Sequence, residues 1–288
     1  MALEDVMALT NRLLTDADAL AAMTARLRLA EANESADSAV QAHLDRVADV
    51  LGVREHYDAL EPGERAMVIA FSRSYLRQAL DLVEDPTREP GWSYADPVLL
   101  QAQGSASTAV ARLFAAAGLG APGIRILDVG TGVAGLAIAF CETYPDSTVV
   151  GVDPWAPALE IARRNVADAG LEGRITLLQR TVQELDDADG FDLAWLPSFF
   201  IPQAVLDEAL GRIHELLRHG GQLVIGTRQG EADSLEAVVD DLRTIRSGGS
   251  AVGPEDARDR LERAGFTEVH EPELGPDVPL RLAVGARP

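Results

Sequence analysis

The stretch Ile124–Asp153, IRILDVGTGVAGLAIAFCETYPDSTVVGVD, limits what the rest of the chain can build. It reads as an apolar strand (Ile124–Val129), a glycine turn (Gly130, Thr131, Gly132), a helix over about Gly135–Tyr144 and a second apolar strand (Thr148–Asp153). Strands this uniformly apolar are covered on both faces, which calls for an open parallel sheet flanked by helices. A strand–turn–helix–strand unit with glycines at its first turn makes a crevice where strand meets helix. Glycine is needed there because a Cβ would hold a ligand off the backbone and because the turn calls for positive φ. The following helix adds N–H groups and the positive end of its dipole. Two acids, Asp128 and Asp153, stand at the carboxyl ends of the two strands.

Two ligand classes suit such a unit. Gly130-Thr-Gly132-Val-Ala-Gly135 matches G-x-G-x-x-G, and Asp153 lies at about the spacing of a ribose-binding acid, as a nicotinamide dinucleotide requires. Asp128, two residues before the first glycine, weighs the other way. A carboxylate there would face the pyrophosphate of a dinucleotide, whereas S-adenosylmethionine brings an ammonium and a sulfonium. Asp128 therefore favours the cationic guest, and Asp153 suits a ribose diol in either case.

ILDVGTGVAGLAIA resembles motif I of the class I (seven-strand) S-adenosylmethionine-dependent methyltransferases, and VVGVDPWAPALEIARRN resembles the strand and helix that follow it. The resemblance covers about Ser105 to Arg287. It departs from the family's D-x-G-x-G-x-G at the last place, where Ala134 stands and a glycine follows at 135. It implies a cofactor cradle of Asp128, Gly130, Thr131 and Gly132 around the methionine moiety, Asp153 on the ribose hydroxyls, and Pro154 and Trp155 beside the adenine. An acid after the third strand often meets the adenine amino group in the family. Here Thr181 and Val182 stand at that place, so a hydroxyl or a backbone N–H would substitute. Leu196, at the end of the fourth strand, completes the implied cofactor set.

Composition narrows the chemistry. The 25 basic residues are all arginine, so Schiff-base and P-loop chemistry are excluded. The single cysteine, Cys141, rules out a disulfide framework and a cysteine-ligated cluster, and reads as a small buried hydrophobe. A formal charge of -21 opposes a nucleic-acid partner. Acids interrupt the opening helix pattern, and the longest uncharged apolar run, Val129–Cys141, is too short for a bilayer. A soluble, cytoplasmic protein with no membrane partner is expected.

Two regions are expected: a helical one over 1–97 and the cofactor-binding one over 98–288. In the first, Leu3, Val6, Met7, Leu9, Leu13, Leu14, Leu20 and Met23 form an amphipathic stripe. Further helices are read over Ser38–Leu51, capped by Gly52, and Glu64–Val83. These stripes bury on themselves or on a partner subunit, giving a homodimer, and the region could also roof the crevice. The proline-rich segment Asp85–Pro97 carries Trp92 and Tyr94. A helix follows over Val98–Ala117, in which the resemblance points to Gln103 as lining the site.

From Ile124 strands and helices alternate. Helices are expected over Pro157–Ala169, over Ala204–Arg218 closed by Gly220-Gly221, from a capping box of Asp233 with Glu236, and from Gly253-Pro254 to Gly265. Strands are expected over Ile175–Gln179, Phe191–Leu196 and Gln222–Thr227. Phe266–Pro272 and Leu280–Gly285 would close the sheet as a hairpin around Gly275-Pro276. The result is an α/β, Rossmann-like seven-stranded sheet, mostly parallel, with a C-terminal antiparallel hairpin and an N-terminal all-helical subdomain.

The resemblance places the acceptor after the fourth strand, at Trp195-Leu-Pro197-Ser-Phe199-Phe200. Family members that methylate amino groups of nucleic acid or glutamine often show D/N-P-P-Y there. Leu196-Pro197-Ser198-Phe199 lacks it, so a small apolar or aromatic acceptor is implied, met by Trp92, Tyr94, Gln103, Pro197, Phe199 and Phe200, and methylated on oxygen, nitrogen or carbon. No general base stands out. His214 and His219 read as solvent-facing, and the pairs Asp186-Asp187 and Asp240-Asp241 as solvated faces, so no metal is expected. Three further readings stay open: a non-methylating enzyme using the same cofactor, a nicotinamide-dependent oxidoreductase, and a non-catalytic binding protein.

Overall fold

The structure, a computed structural model, describes residues 3–227, 234–275 and 280–288. It divides into two compact units, one up to Pro86 and one from Thr87 onward. The expected boundary at 97 falls later, because residues 87–96 are bound to the second unit: Gly91 N–H donates to the Arg246 carbonyl (3.1 Å) and Trp155 Nε1 to the Tyr94 carbonyl (3.0 Å).

The first unit is helical. Helix α1 (Leu3–Ala32) packs on α2 (Ser38–Leu51) and α4 (Pro62–Glu84), with the short α3 (Arg54–Asp58) between the latter two. Asp37 caps α2 by accepting the Ala39 N–H, and Gly52 ends it in the left-handed region. The core is small: Met23, Leu27, Ala48 and Ile69 are buried, and Arg26 reaches Asp45 (2.9 Å) and Asp58 (2.6 Å). Of the expected stripe on α1 only Met23 is buried; Leu3, Val6, Met7, Leu9, Leu13, Leu14 and Leu20 stay exposed.

The second unit runs α5 (Pro97–Ala116), β1 (Arg125–Val129), α6 (Gly135–Thr143), β2 (Thr148–Val152), α7 (Ala156–Asp168), β3 (Ile175–Leu178), β4 (Phe191–Pro197), α8 (Leu206–Leu216), β5 (Leu217–Thr227), α9 (Leu235–Arg246), α10 (Pro254–Arg263), β6 (Thr267–His270) and β7 (Arg281–Ala286). The strands form one sheet in the order β3-β2-β1-β4-β5-β7-β6. It is parallel up to β5, while β7 runs antiparallel to both its neighbours. Alternation along β1 sends Ile126 to one core layer, with Phe114, Phe140 and Trp195, and Leu127 and Val129 to the other, with Leu196, Leu210 and Ile225. The chain order reverses between β1 and β4, so the crevice lies beyond their carboxyl ends.

Four expectations change. Gly220-Gly221 do not close a helix: α8 stops at Leu216, and residues 218–221 bulge within β5, whose register with β4 jumps from Phe191↔Leu217 to Leu193↔Gln222. A Cβ on Gly221 would lie 2.8 Å from the Phe191 carbonyl oxygen, so the bulge needs glycine. His214 is not solvent-facing; its ring stands edge-on to Phe266 with centroids 4.9 Å apart, and its Nε2 is buried. Asp187 is not a solvated acid, because Arg125 binds both its oxygens (2.8 and 2.7 Å) and the same guanidinium lies 4.3 Å from the Phe191 ring. The ion pair holds the Asp187 carboxyl below the usual carboxylate range. Helix α9 is capped by Ser234, whose hydroxyl accepts the Ala237 N–H; the expected cap Asp233 lies outside the described residues, as does Pro276 of the expected turn.

Candidate active site

The glycine turn takes the shape its sequence calls for. Gly130 (φ 71°), Gly132 (φ 57°) and Ala134 (φ 65°) are all left-handed. At Ala134 the Cβ makes this unfavourable by roughly 1–2 kcal/mol. The turn also sits tightly between helices. A Cβ on Gly135 would lie 2.3 Å from the Gly104 carbonyl oxygen of α5, and one on Gly104 would strike the Val133 side chain at 2.2 Å. One on Gly151, beside Asp128 in β2, would meet Thr131 Oγ1 at 2.7 Å. No sequence motif marks Gly104 or Gly151, because their role exists only once the elements are packed.

The turn's N–H groups are already used. Those of Gly130 and Thr131 donate to the Val152 carbonyl (2.8 and 3.1 Å), and that of Gly132 to Asp153 Oδ2 (2.9 Å). A ligand over Gly130–Gly132 is therefore offered close approach rather than these donors. Asp153 holds the rim of the crevice. Its second oxygen accepts the Trp155 N–H (2.7 Å), bracing the entry to α7 while Trp155 itself is the cap residue. Each carboxylate oxygen keeps a further lone pair for a ribose hydroxyl.

Asp128 lies deeper, only 1% exposed, and accepts the Thr131 hydroxyl at 2.7 Å. Burial pushes its carboxyl up to about 7, the nearby Asp153 adds to this, and the Thr131 hydrogen bond works against it. Burial likewise raises the Asp153 carboxyl, opposed by the two backbone N–H groups. Two neighbouring buried acids are thus held above their ordinary range, an arrangement that a bound cation relieves.

The remaining candidates fall into three groups. Thr181 caps a 3-10 turn, Val182–Glu184, through a reciprocal bond with Glu184 (2.9 Å), and Val182 is buried beneath it. The Leu196 side chain belongs to the core layer with Leu127, so only its backbone can face a ligand. Pro197 approaches Gly130 and leads into a 3-10 turn, Ser198–Phe200. The aromatic candidates form one chain of ring contacts: Tyr94–Trp92 (5.3 Å), Trp92–Phe200 (5.6 Å) and Phe200–Phe199 (5.0 Å). Behind them, Ser198 Oγ donates to the Gly226 carbonyl (2.8 Å) and Ser250 Oγ to the Ile201 carbonyl (2.7 Å), fixing the turn from the sheet side. Gln103 lies on α5, one residue before the Gly104 contact with the turn.

Residues 126–221 match a family described as a methyltransferase domain. The matched stretch runs from β1 into β5, the part of the sheet whose strand ends build the crevice. A demethylmenaquinone methyltransferase of Thermus thermophilus is 39% identical over 102 residues, which is 35% of this chain and 46% of that protein. A release factor glutamine methyltransferase of Rhodopirellula baltica is 33% identical over 103 residues, 35% of each chain. This chain therefore spans under half the length of these curated relatives. Among solved structures, the mitomycin 7-O-methyltransferase MmcR superposes with a TM-score of 0.68 at 18% identity, covering 99% of this chain and 98% of that one. At that identity the likeness speaks for the fold alone, and it extends over the helical unit as well. Within the matched residues, the cradle candidates Asp128, Gly130, Thr131, Gly132 and Asp153 converge at the carboxyl ends of β1 and β2.

Proposed function

We propose that the protein is an S-adenosylmethionine-dependent methyltransferase acting on a small apolar or aromatic molecule. The observation that carries this reading is the pair Asp128 and Asp153, two covered carboxylates flanking a glycine turn. Asp128, only 1% exposed, acts on the guest through its field, since a buried charge acts strongly at low effective dielectric. Gly130 and Gly132 give the close approach, Asp153 the ribose acceptor, and Trp155 with Pro154 a wall for the adenine. Thr181 and Val182 border its far edge.

Bound there, S-adenosylmethionine supplies a methyl group already activated on a sulfonium. The protein's part is to hold the acceptor in line and to exclude water. The aromatic run Trp92, Tyr94, Phe199 and Phe200, with Pro197 and Gln103, is suited to grip a flat apolar acceptor. Several superposing structures are of enzymes named for small molecules, such as N-acetylserotonin methyltransferase and the pyocyanin biosynthetic protein PhzM, which supports this acceptor class and a place in secondary metabolism. The charge of -21 speaks against nucleic acid. No described helix is long and apolar enough to cross a membrane, consistent with a cytoplasmic enzyme.

Asp153→Ala is expected to weaken S-adenosylmethionine binding by about 1.5–3 kcal/mol, the scale for hydrogen bonds to a charged group. Calorimetric titration checks this, and an affinity within twofold of wild type would remove Asp153 from the site. The variant also orphans the Gly132 and Trp155 N–H groups, so Asp153→Asn serves beside it, keeping an acceptor for one of them.

A second copy of the chain is the partner we assign to the uncovered stripe on α1, whose seven large apolar residues are all exposed, as apolar faces that mark interaction sites are. The double change Leu13→Glu with Leu14→Glu should halve the mass found by light scattering. A wild-type chain of monomer mass would dismiss the dimer.

A further inference from the structure

Val133 is wedged between two helices. Its side chain seats over Gly104 of α5 and joins Leu100, Ala158 and Ile161 in a small apolar cluster. Its carbonyl accepts a hydrogen bond from Asn165 Nδ2 of α7 at 2.8 Å. The same amide nitrogen donates to Gln101 Oε1 of α5 (3.1 Å), and Gln101 Nε2 returns a bond to Asn165 Oδ1 (2.9 Å). Both Asn165 N–H groups and its carbonyl oxygen are thus engaged, linking α5, α7 and the turn in one network. The carbonyl so held belongs to the peptide leading into Ala134, the position that adopts the left-handed region with a Cβ in place.

We infer that Asn165, paired with Gln101, is a positioning residue that holds the Val133–Ala134 peptide in its left-handed turn and thereby keeps the cofactor cradle in shape. A side chain that fixes the carbonyl selects this peptide orientation over those an alanine prefers. It also ties the helix bearing Gln103 to the turn, so cradle and acceptor side move as one body. This inference rests on the cofactor reading given above for its link to binding, but not for the link between Asn165 and the turn.

The test uses Asn165→Ala with and without Ala134→Gly, in the full chain. Removing the latch should weaken adenosylhomocysteine binding about tenfold. Adding Ala134→Gly, which takes positive φ without strain, should restore affinity to within about threefold. Amide hydrogen exchange at Gly132–Gly135, measured without ligand, should quicken in Asn165→Ala and slow again in the double variant. An affinity within twofold of wild type in Asn165→Ala, or a failure of Ala134→Gly to rescue a folded protein, overturns the inference. If Asn165→Ala does not fold, Gln101→Leu takes its place, with the same rescue expected. If wild type itself does not bind adenosylhomocysteine, the cofactor reading fails. Exchange then decides the latch alone: faster exchange reversed by Ala134→Gly supports it, and unchanged exchange overturns it.

Discussion

Asp128→Asn should stabilise the ligand-free protein at pH 8 and lose that advantage near pH 4. The folded carboxyl titrates at about 7 against an ordinary 3.8, so the folded state holds its proton where the unfolded chain has lost it. Below about 4 both states are protonated and the site carries no penalty. As pH rises towards 7 stability falls, and above it the full cost of a buried, ionised Asp128 remains, roughly 4 kcal/mol at most. Asparagine keeps an acceptor for the Thr131 hydroxyl but brings two N–H groups into a covered place, which offsets about half of the gain. A net of about 2 kcal/mol corresponds to a melting temperature about 5 °C above wild type at pH 8. The decisive readout is the change in that difference between pH 4 and pH 8. A difference that stays constant with pH would mean that Asp128 does not carry the buried charge.

Gly135→Ala should have the opposite and larger effect. Its Cβ would sit 2.3 Å from the Gly104 carbonyl oxygen and 2.7 Å from the carbonyl carbon, and both are backbone of a packed helix. Neither can swing aside as a side-chain tip would, so α5 and α6 must part. Overpacking of this kind costs about 3 kcal/mol or more, enough to shift a urea midpoint strongly. Gly211, inside α8, has nothing within 4 Å of its would-be Cβ. Gly211→Ala should therefore stabilise by roughly 0.5–1 kcal/mol. The two alanines thus carry opposite signs. A Gly135→Ala protein as stable as wild type would show that the helices do not meet there.

The architecture could be read from the sequence because its signal is local. The apolar runs of β1 and β2, the glycine turn and the caps at Gly52 and Gly253 each announce themselves within a few residues. What could not be read depends on partners distant in the chain. Gly220-Gly221 look like a helix stop, yet Gly220 N–H donates to the Arg287 carbonyl and Arg287 N–H to that of Gly221, which draws them into the sheet. His214 sits among charged residues in sequence but meets Phe266 in space. At the site, Asp128 and Asp153 were visible as strand-end acids; that both of Asp153's oxygens would already hold backbone N–H groups was not. Asn165 looks like any polar residue on a helix until the turn is folded beside it. The stripe on α1 shows its period in sequence, but periodicity cannot say what covers it.

A covered acid beside the glycine turn prefers a cation to a diphosphate, and calorimetric titration at pH 8 tests this most directly. Wild type should bind S-adenosylmethionine at one site and leave NAD unbound, and Asp128→Asn should lose about 2 kcal/mol, close to thirtyfold, in affinity for S-adenosylmethionine. Saturable binding of NAD, or equal S-adenosylmethionine affinity in the two proteins, would contradict it.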